Sequence, residues 1–379
     1  MDKKKLIAIF HCFSLLFTLP IISITTASAP PAPSIRAVFA FGDSTIDPGN
    51  NNGLTGLSAI FTGNHPPYGK DLPRHIPTGR FSNGKLATDF LASNLGIKEF
   101  LPPYFDPTLS DAELATGVSF ASAGAGIDNT TNTAFRGVVS TARQLEYFDE
   151  AMQRIERYVG KNRSEELVRD SLFVFSAGFN DVLYNQVLGL LNNQIFQDSS
   201  SNDASNYQDF LVQTLGSYIQ TLYSKGARNF GVAGQAPIGC LPLVVTVGSI
   251  LPSFHMLQRV CVERLNLYAQ AYNTKLQALL TRLQQSLPAS NIAYFGVYDP
   301  LMDMINNPLK YGFVQTLQGC CGTGLFEVGP VCLAGMATCL DASKYIFWDS
   351  AHPTQAAYMA LANQFSQQLL LNMFTSRIY

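Results

Sequence analysis

Three short strings in this chain hold residue types that could do chemistry together: Phe41-Gly42-Asp43-Ser44, Gly178-Phe179-Asn180-Asp181 and Asp349-Ser350-Ala351-His352-Pro353. A serine hydroxyl is a weak nucleophile until a base takes its proton and a third group orients that base. Ser44 is the candidate nucleophile and His352 the candidate base. Of the five histidines, His11 lies in the apolar leader, His65 and His75 in a Pro- and Gly-rich loop, and His255 in an apolar loop segment. Only His352 has a carboxylate, Asp349, three residues ahead and a proline behind. That spacing lets Asp349 accept from Nδ1–H while Nε2 faces a serine.

A tetrahedral intermediate also needs donors aimed at its oxyanion. The candidates are the backbone N–H of Ser44, the side-chain amide of Asn180 and the backbone N–H of Gly124, with Gly126 as the competing glycine. A helical turn after Ser44 is expected to bring its N–H beside the oxyanion. Asp43 and Asp181 read as hydrogen-bond acceptors at turns. No Gly-x-Ser-x-Gly occurs, so a nucleophile elbow is not indicated. Ser122-Ala123-Gly124-Ala125-Gly126 half matches a dinucleotide loop, but Asn129 stands where the third glycine belongs and no strand is evident before it.

The elements that must position these groups show as alternation. Ala37–Phe41, Leu172–Phe175, Phe230–Ala233 and Ile292–Phe295 read as buried strands, and Gln144–Val159, Tyr207–Lys225, Gln258–Leu283 and Thr354–Met373 as amphipathic helices. Gly226 reads as a helix stop. Gln197–Gln208, rich in Ser, Asn and Asp, reads as an exposed loop. Strand–helix alternation implies a parallel sheet covered on both faces, with ligands outside the carboxyl ends of its strands. Ser44 and Gly178–Asn180 both follow such ends, so both are expected on one edge.

The 379 residues are 47% hydrophobic and 14% charged, as in a globular chain. Asp2-Lys3-Lys4-Lys5, the apolar run Leu6–Ile24 and the small residues Ala27-Ser28-Ala29 read as a secretory signal peptide over residues 1–27. An uncleaved anchor is the rival, but Pro20, His11 and the small-residue exit favour cleavage. Residues 28–379 are then expected to be one soluble domain with loop insertions. Without residues 1–29 the formal charge moves from −2 to −4. No basic run suggests nucleic acid, and no later segment is apolar enough to span a membrane. Six cysteines remain after the leader: Cys240, Cys261, Cys320, Cys321, Cys332 and Cys339. Their clustering suggests one bridge between Cys240 and Cys261, worth roughly 3 kcal/mol, and two within Cys320–Cys339. No Cys-x-x-Cys pair supports a metal, and no cofactor is indicated. Asn129-Thr130-Thr131 and Asn162-Arg163-Ser164 are N-glycosylation acceptors that fit secretion.

Taken together these strings resemble the plant GDSL esterase/lipase family, a branch of the SGNH hydrolases. The resemblance covers almost the whole chain after the leader. It runs from Phe41-Gly42-Asp43-Ser44 through Asn51, then Gly79-Arg80-Phe81-Ser82-Asn83-Gly84, Phe120–Gly126, Ser176–Asp181 and Pro237-Ile238-Gly239-Cys240, to Cys320-Cys321-Gly322 and Trp348–Pro353. It implies a three-layer α/β/α sandwich, similar to flavodoxin, and ester hydrolysis through an acyl-enzyme on Ser44. It also implies an extracellular setting, in the apoplast or cell wall. Where many relatives have two adjacent glycines this chain has Ala123-Gly124. Candidate substrates are small-molecule or lipid esters and acetylated cell-wall polysaccharide; a catalytically silent binding protein is the reading from another class. Leu241, Leu243, Val244, Val245, Ile250, Leu251 and Phe254, between Cys240 and Cys261, could line an acyl pocket or form a buried loop.

Overall fold

A computed structural model describes residues 35–55, 61–134, 137–184, 202–250 and 258–375. The signal-peptide reading over residues 1–27, His255, and Leu251 and Phe254 of the apolar segment lie outside the described residues. In chain order the main elements are β1 (Val38–Gly42), α1 (Ala87–Asn94), α2 (Asp111–Leu114), α3 (Asn129–Ala134), α4 (Thr141–Val159), α5 (Lys161–Arg169) and β2 (Leu172–Ser176). There follow α6 (Phe179–Val182), α7 (Asn202–Ser224), β3 (Asn229–Ala233), α8 (Pro242–Ile250), α9 (Glu263–Ser286), β4 (Asn291–Phe295) and α10 (Tyr298–Asn306). The chain continues through β5 (Gln315–Gly319), β6 (Tyr345–Phe347) and α11 (Gln355–Thr375).

β1 to β4 pair in parallel in the order β1-β2-β3-β4. Each strand is apolar on consecutive residues because both faces are covered. Val38, Ala40, Leu172, Val174, Ala293 and Phe295 point to the layer holding α1 and α11. Phe39, Phe41, Phe173, Phe175, Phe230 and Val232 point to the layer of α4, α7 and most of α9. The second face is a phenylalanine stack, with Phe41 centred 5.2 Å from both Phe120 and Phe175. The expected α/β/α sandwich with a central parallel sheet is what the chain forms.

The sheet has one feature that the strand pattern missed. Ala40 donates to Val118 O at 3.1 Å and accepts from Phe120 N–H at 2.8 Å, so residues 118–120 run parallel along the outer edge of β1. This edge segment leads directly into Ser122–Gly126, where no strand was expected. Winding therefore goes outward from β1 on one side and, after the edge segment, on the other. β1 lies at the switch point, where an open α/β sheet forms its crevice.

Two boundaries differ from expectation. Residues 202–208 are helical, although Gln197–Gln208 reads as loop, and the remainder of that stretch lies outside the described residues. Asp203, Ser205 and Asn206 are the exposed face of α7, while Gln208 is buried and donates to Tyr268 O at 3.0 Å. A polar helix face and a polar loop have the same composition. The segment after Cys240 forms α8, and α9 starts only after Cys261. The three disulfides are Cys240–Cys261, Cys320–Cys339 and Cys321–Cys332. Among the described residues no helix is long and apolar enough to cross a membrane, and no cluster of metal-ligating side chains occurs.

α1 is tied down by a buried ion pair. Arg80 donates from Nε and Nη2 to the two oxygens of Asp89, both at 2.8 Å, and Nη2 also reaches Leu101 O at 2.9 Å. Asp89 in turn accepts from Leu86 N–H and Leu101 N–H. Arg80→Met should cost about 3–5 kcal/mol, because it strands a buried carboxylate. Asp89→Leu should also destabilise, by stranding the Leu86 and Leu101 N–H groups, and the double variant Arg80→Met/Asp89→Leu should lose less than the two single losses summed. Urea denaturation of wild type, both single variants and the double variant checks both statements, and additive losses would contradict them.

Candidate active site

β1 ends at Gly42, whose φ of +151° and whose position against Ser176 admit only glycine: a Cβ there would lie 1.9 Å from Ser176 O. The Gln144 side chain grips the same residue, accepting from Gly42 N–H at 2.7 Å and donating to Gly42 O at 2.8 Å. The chain then turns once. Ile46 N–H donates to Asp43 O at 3.2 Å, and Pro48, with no N–H to donate, lies just beyond the turn. The helical turn expected after Ser44 is thus a single tight turn. Ser44 stands on it, 6% exposed. Asp43 is wholly buried and accepts from Thr45 N–H and Thr45 Oγ1 through Oδ1, but Oδ2 has no partner. Burial pushes its carboxyl up from 3.8 to about 6.

His352 arrives from the other end of the chain on a tight loop between β6 and α11. Trp348 N–H donates to His352 O at 2.8 Å and Thr354 N–H to Ile346 O at 2.8 Å, closing a hairpin. Inside it the Asp349 carboxylate accepts from Ala351 N–H at 2.8 Å and His352 N–H at 2.6 Å, an Asx-type turn. The same carboxylate lies 2.8 Å (Oδ2) and 3.0 Å (Oδ1) from His352 Nδ1. A carboxylate only accepts, so Nδ1 carries the proton and Nε2 is left to accept. Nε2 lies 2.8 Å from Ser44 Oγ. The Phe81 ring packs on the imidazole with centroids 4.8 Å apart.

Tyr68, which the sequence did not single out, completes the carboxylate's shell. Its hydroxyl donates to Asp349 Oδ2 at 2.7 Å and accepts from Gly329 N–H at 2.7 Å. Burial, with the Asp349 charge beside it, pushes that hydroxyl well above its ordinary pKa, so it stays a donor.

The oxyanion candidates lie on two segments that hold each other. Gly124 has φ +84°, and neither its N–H nor that of Ser44 has a hydrogen-bond partner among the described residues. Gly126 N–H, the competitor, is engaged at 2.9 Å by Asn132 Oδ1. Asn180 sits on α6 just past β2 and donates to Ala125 O at 2.9 Å, which leaves the second hydrogen of its amide. Asp181, next in line, accepts from Ile127 N–H, Asp128 N–H and Thr131 Oγ1 at 2.8–2.9 Å. Burial raises its pKa. Both turn aspartates therefore accept hydrogen bonds, as expected.

Other residues brace this edge. Asp47 accepts from Gly49 N–H, Asn50 N–H and Ala123 N–H, Asn50 donates to Ser119 O and Ala121 O, and Asn51 donates to Ala123 O. Asp47, Asn50 and Asn51 fall within the stretch from Phe41 through Asn51, yet their partners some 70 positions on carry no sequence pattern that pairs them. Asn129 and Asn162 are both exposed.

An apolar cavity opens beside His352. Leu241 is the only described member of the segment Cys240–Cys261 that lines it. Val244 and Val245 are buried and Leu243 is half-buried away from it, so the described part of that segment is mainly packing.

A family model described as GDSL-like Lipase/Acylhydrolase matches residues 38–365. The chain is 44% identical to GDSL esterase/lipase At2g40250 of Arabidopsis thaliana over 93% of its length and 94% of that protein. It is 40% identical to GDSL esterase/lipase At2g30220 of the same plant, over 94% of this chain and 96% of the relative.

Tyr68→Phe keeps the ring and removes a hydrogen bond to a charged group, worth about 1.5–3 kcal/mol. The kcat for a p-nitrophenyl ester should fall about ten- to a hundredfold with little change in KM, and an unchanged kcat would remove Tyr68 from the site. Asp43→Asn tests the buried carboxyl. The folded chain holds that proton to about pH 6 and the unfolded chain only to 3.8. Its contribution to stability therefore declines as pH rises between those values and is level above. Relative to the Asn variant, wild type should lose about 3 kcal/mol between ~pH 3 and ~pH 7 in urea titrations. A pH-independent difference would contradict this.

Proposed function

The chain belongs to the GDSL-like lipase/acylhydrolase family and is a carboxylic-ester hydrolase; from that premise we propose that Ser44 is its nucleophile, His352 the base and Asp349 the group that orients the base. The observation that carries the reading is the 2.8 Å contact between Ser44 Oγ and His352 Nε2, with Nδ1 held by Asp349 on the opposite side of the ring. Ser44 Oγ attacks the ester carbonyl as Nε2 takes its proton. The oxyanion is met by the Ser44 and Gly124 N–H groups and by the Asn180 amide. Collapse expels the alcohol, which receives its proton from His352, and leaves an acyl-serine. Water, deprotonated by His352, then releases the acid by the same path in reverse.

We also propose that residues 1–27 are a cleaved leader, that residues 28–379 act as one hydrolase domain outside the cell, and that Asn129 and Asn162 carry glycans. Three disulfides and two exposed acceptor asparagines support an oxidising, secretory route.

Fluorophosphonate labelling tests the nucleophile. Wild type should be labelled and Ser44→Ala should not, and persistent labelling of the variant would assign the chemistry elsewhere. Asn180→Ala should lower kcat by about 10²–10³-fold, the loss typical of one oxyanion donor. A loss under threefold would exclude that role.

A further inference from the structure

On the outer edge of β1 the parallel ladder is complete as far as Ala40, which donates to Val118 O and accepts from Phe120 N–H. One register step on, Gly42 O accepts from Ser122 N–H at 3.0 Å, as a parallel ladder requires. Among the described residues the matching rung, from Gly42 N–H to Phe120 O, is not made. Gly42 N–H donates instead to Gln144 Oε1 at 2.7 Å. A side chain from the first turn of α4 thus stands in a sheet ladder, at the residue where β1 ends and two positions before Ser44.

Gln144 is fully buried, and both hydrogens of its amide are used, one on Gly42 O at 2.8 Å and the other on Val139 O at 2.9 Å. Those bonds join the two segments that supply backbone donors. Gly42 leads into the Ser44 turn. Val139 N–H donates to Ser122 Oγ at 3.0 Å and Thr141 Oγ1 donates to Gly126 O at 3.1 Å, so the approach to α4 clasps the Gly124 loop at both ends. Gly124 lies between those clasps and under Val138, whose Cγ1 would be 3.3 Å from a Cβ placed there. With Gln144 as the wedge, β1 and the edge segment part after Gly42 and Ser122. The Ser44 and Gly124 N–H groups are then free to face one point instead of bonding across a ladder.

We propose that Gln144 is a positioning residue for the hydrolysis: by standing in for one ladder rung it sets the spacing of the two backbone oxyanion donors, without touching substrate. This rests on Ser44 as nucleophile and on the Ser44 and Gly124 N–H groups as donors. The geometry separates the hydrogen-bonding pattern of the side chain from its bulk. A neutral acid of the same shape keeps the acceptor for Gly42 N–H and one donor for the facing carbonyls. An ionised carboxylate keeps the acceptor but turns a bare oxygen toward Gly42 O and Val139 O, which repel it.

The test compares wild type, Gln144→Met and Gln144→Glu on a p-nitrophenyl ester, with kcat referred to sites titrated to completion by a fluorophosphonate. Gln144→Met should lower kcat about 10- to 100-fold with KM within about twofold, the cost of a small displacement of preorganised groups. Its Ki for a boronic acid that forms a tetrahedral adduct on Ser44 should rise in proportion. Gln144→Glu should approach wild type at ~pH 5 and fall about tenfold or more against it by ~pH 9, as the introduced carboxyl ionises. Protonation of His352 and Asp43 is common to both proteins and cancels in that ratio. A ratio of Gln144→Glu to wild type that is flat across pH overturns the proposal, whether or not the Met variant folds. So does a folded Met variant with kcat within about threefold of wild type, or one slowed with an unchanged boronate Ki, since a lost oxyanion donor costs far more and weakens both. A wild type that takes no label overturns the Ser44 reading as well, whereas labelling with any of the other adverse results leaves that reading standing.

Discussion

A carboxylate taken out of water must have its oxygens satisfied, because an unpaired one costs several kcal/mol. Asp349, fully buried, meets this with two backbone N–H groups, the Tyr68 hydroxyl and the imidazole of His352. Each donor comes with a structural obligation. The two backbone donors fold the loop that carries His352. Tyr68 ties in the segment around Gly329, within the stretch bounded by the Cys320–Cys339 bridge. Cys320 N–H and Cys321 N–H both donate to Trp348 O, so the adjacent cysteines hold the residue just before Asp349. Orientation of the histidine is therefore a consequence of satisfying one buried charge, with two disulfides bracing the loop that does it.

The serine side is built on a different principle. Its geometry comes from backbone held in a sheet, with Gly42 in register opposite Ser176, and from one glutamine that grips both polar groups of Gly42. Asp47, Asn50 and Asn51 then fasten the edge segment to the first loop. These side chains act in place of backbone ladders where the chain has left regular structure. The N–H groups of Ser44 and Gly124 remain unclaimed while their neighbours are bonded, as a preorganised site requires.

Apolar packing makes the third contribution. The sheet's two faces are filled differently, one by close-packed phenylalanines and the other by smaller side chains beside α1 and α11. The cavity lies on the side with the smaller residues. The same alternation that builds the core thus decides on which side of the sheet the cavity opens.

Much of this was legible in the sequence. Strand–helix alternation specified the layered parallel sheet, because residues buried on both faces must be apolar in unbroken runs. Ser44, Asp349, His352 and Asn180 stand out by type and local spacing, since a turn or an i, i+3 pair is set by near neighbours. The cysteine clusters likewise forecast the Cys240–Cys261 bridge and two more within Cys320–Cys339, but not which cysteines pair there. Other features depended on pairings across long stretches of chain, which leave no periodic trace. Residues 118–120 lack enough length to read as a strand, and they become one only by lying along β1. Tyr68 and Gln144 look like ordinary core and helix residues until Asp349 and Gly42 arrive from 281 and 102 positions away. That Gly126 N–H is engaged and Gly124 N–H is not likewise needed the tertiary structure, because only there does Asn132 reach Gly126. Local spacing chose the candidate groups; the closing of distant segments onto one another decided what holds them and what space they face.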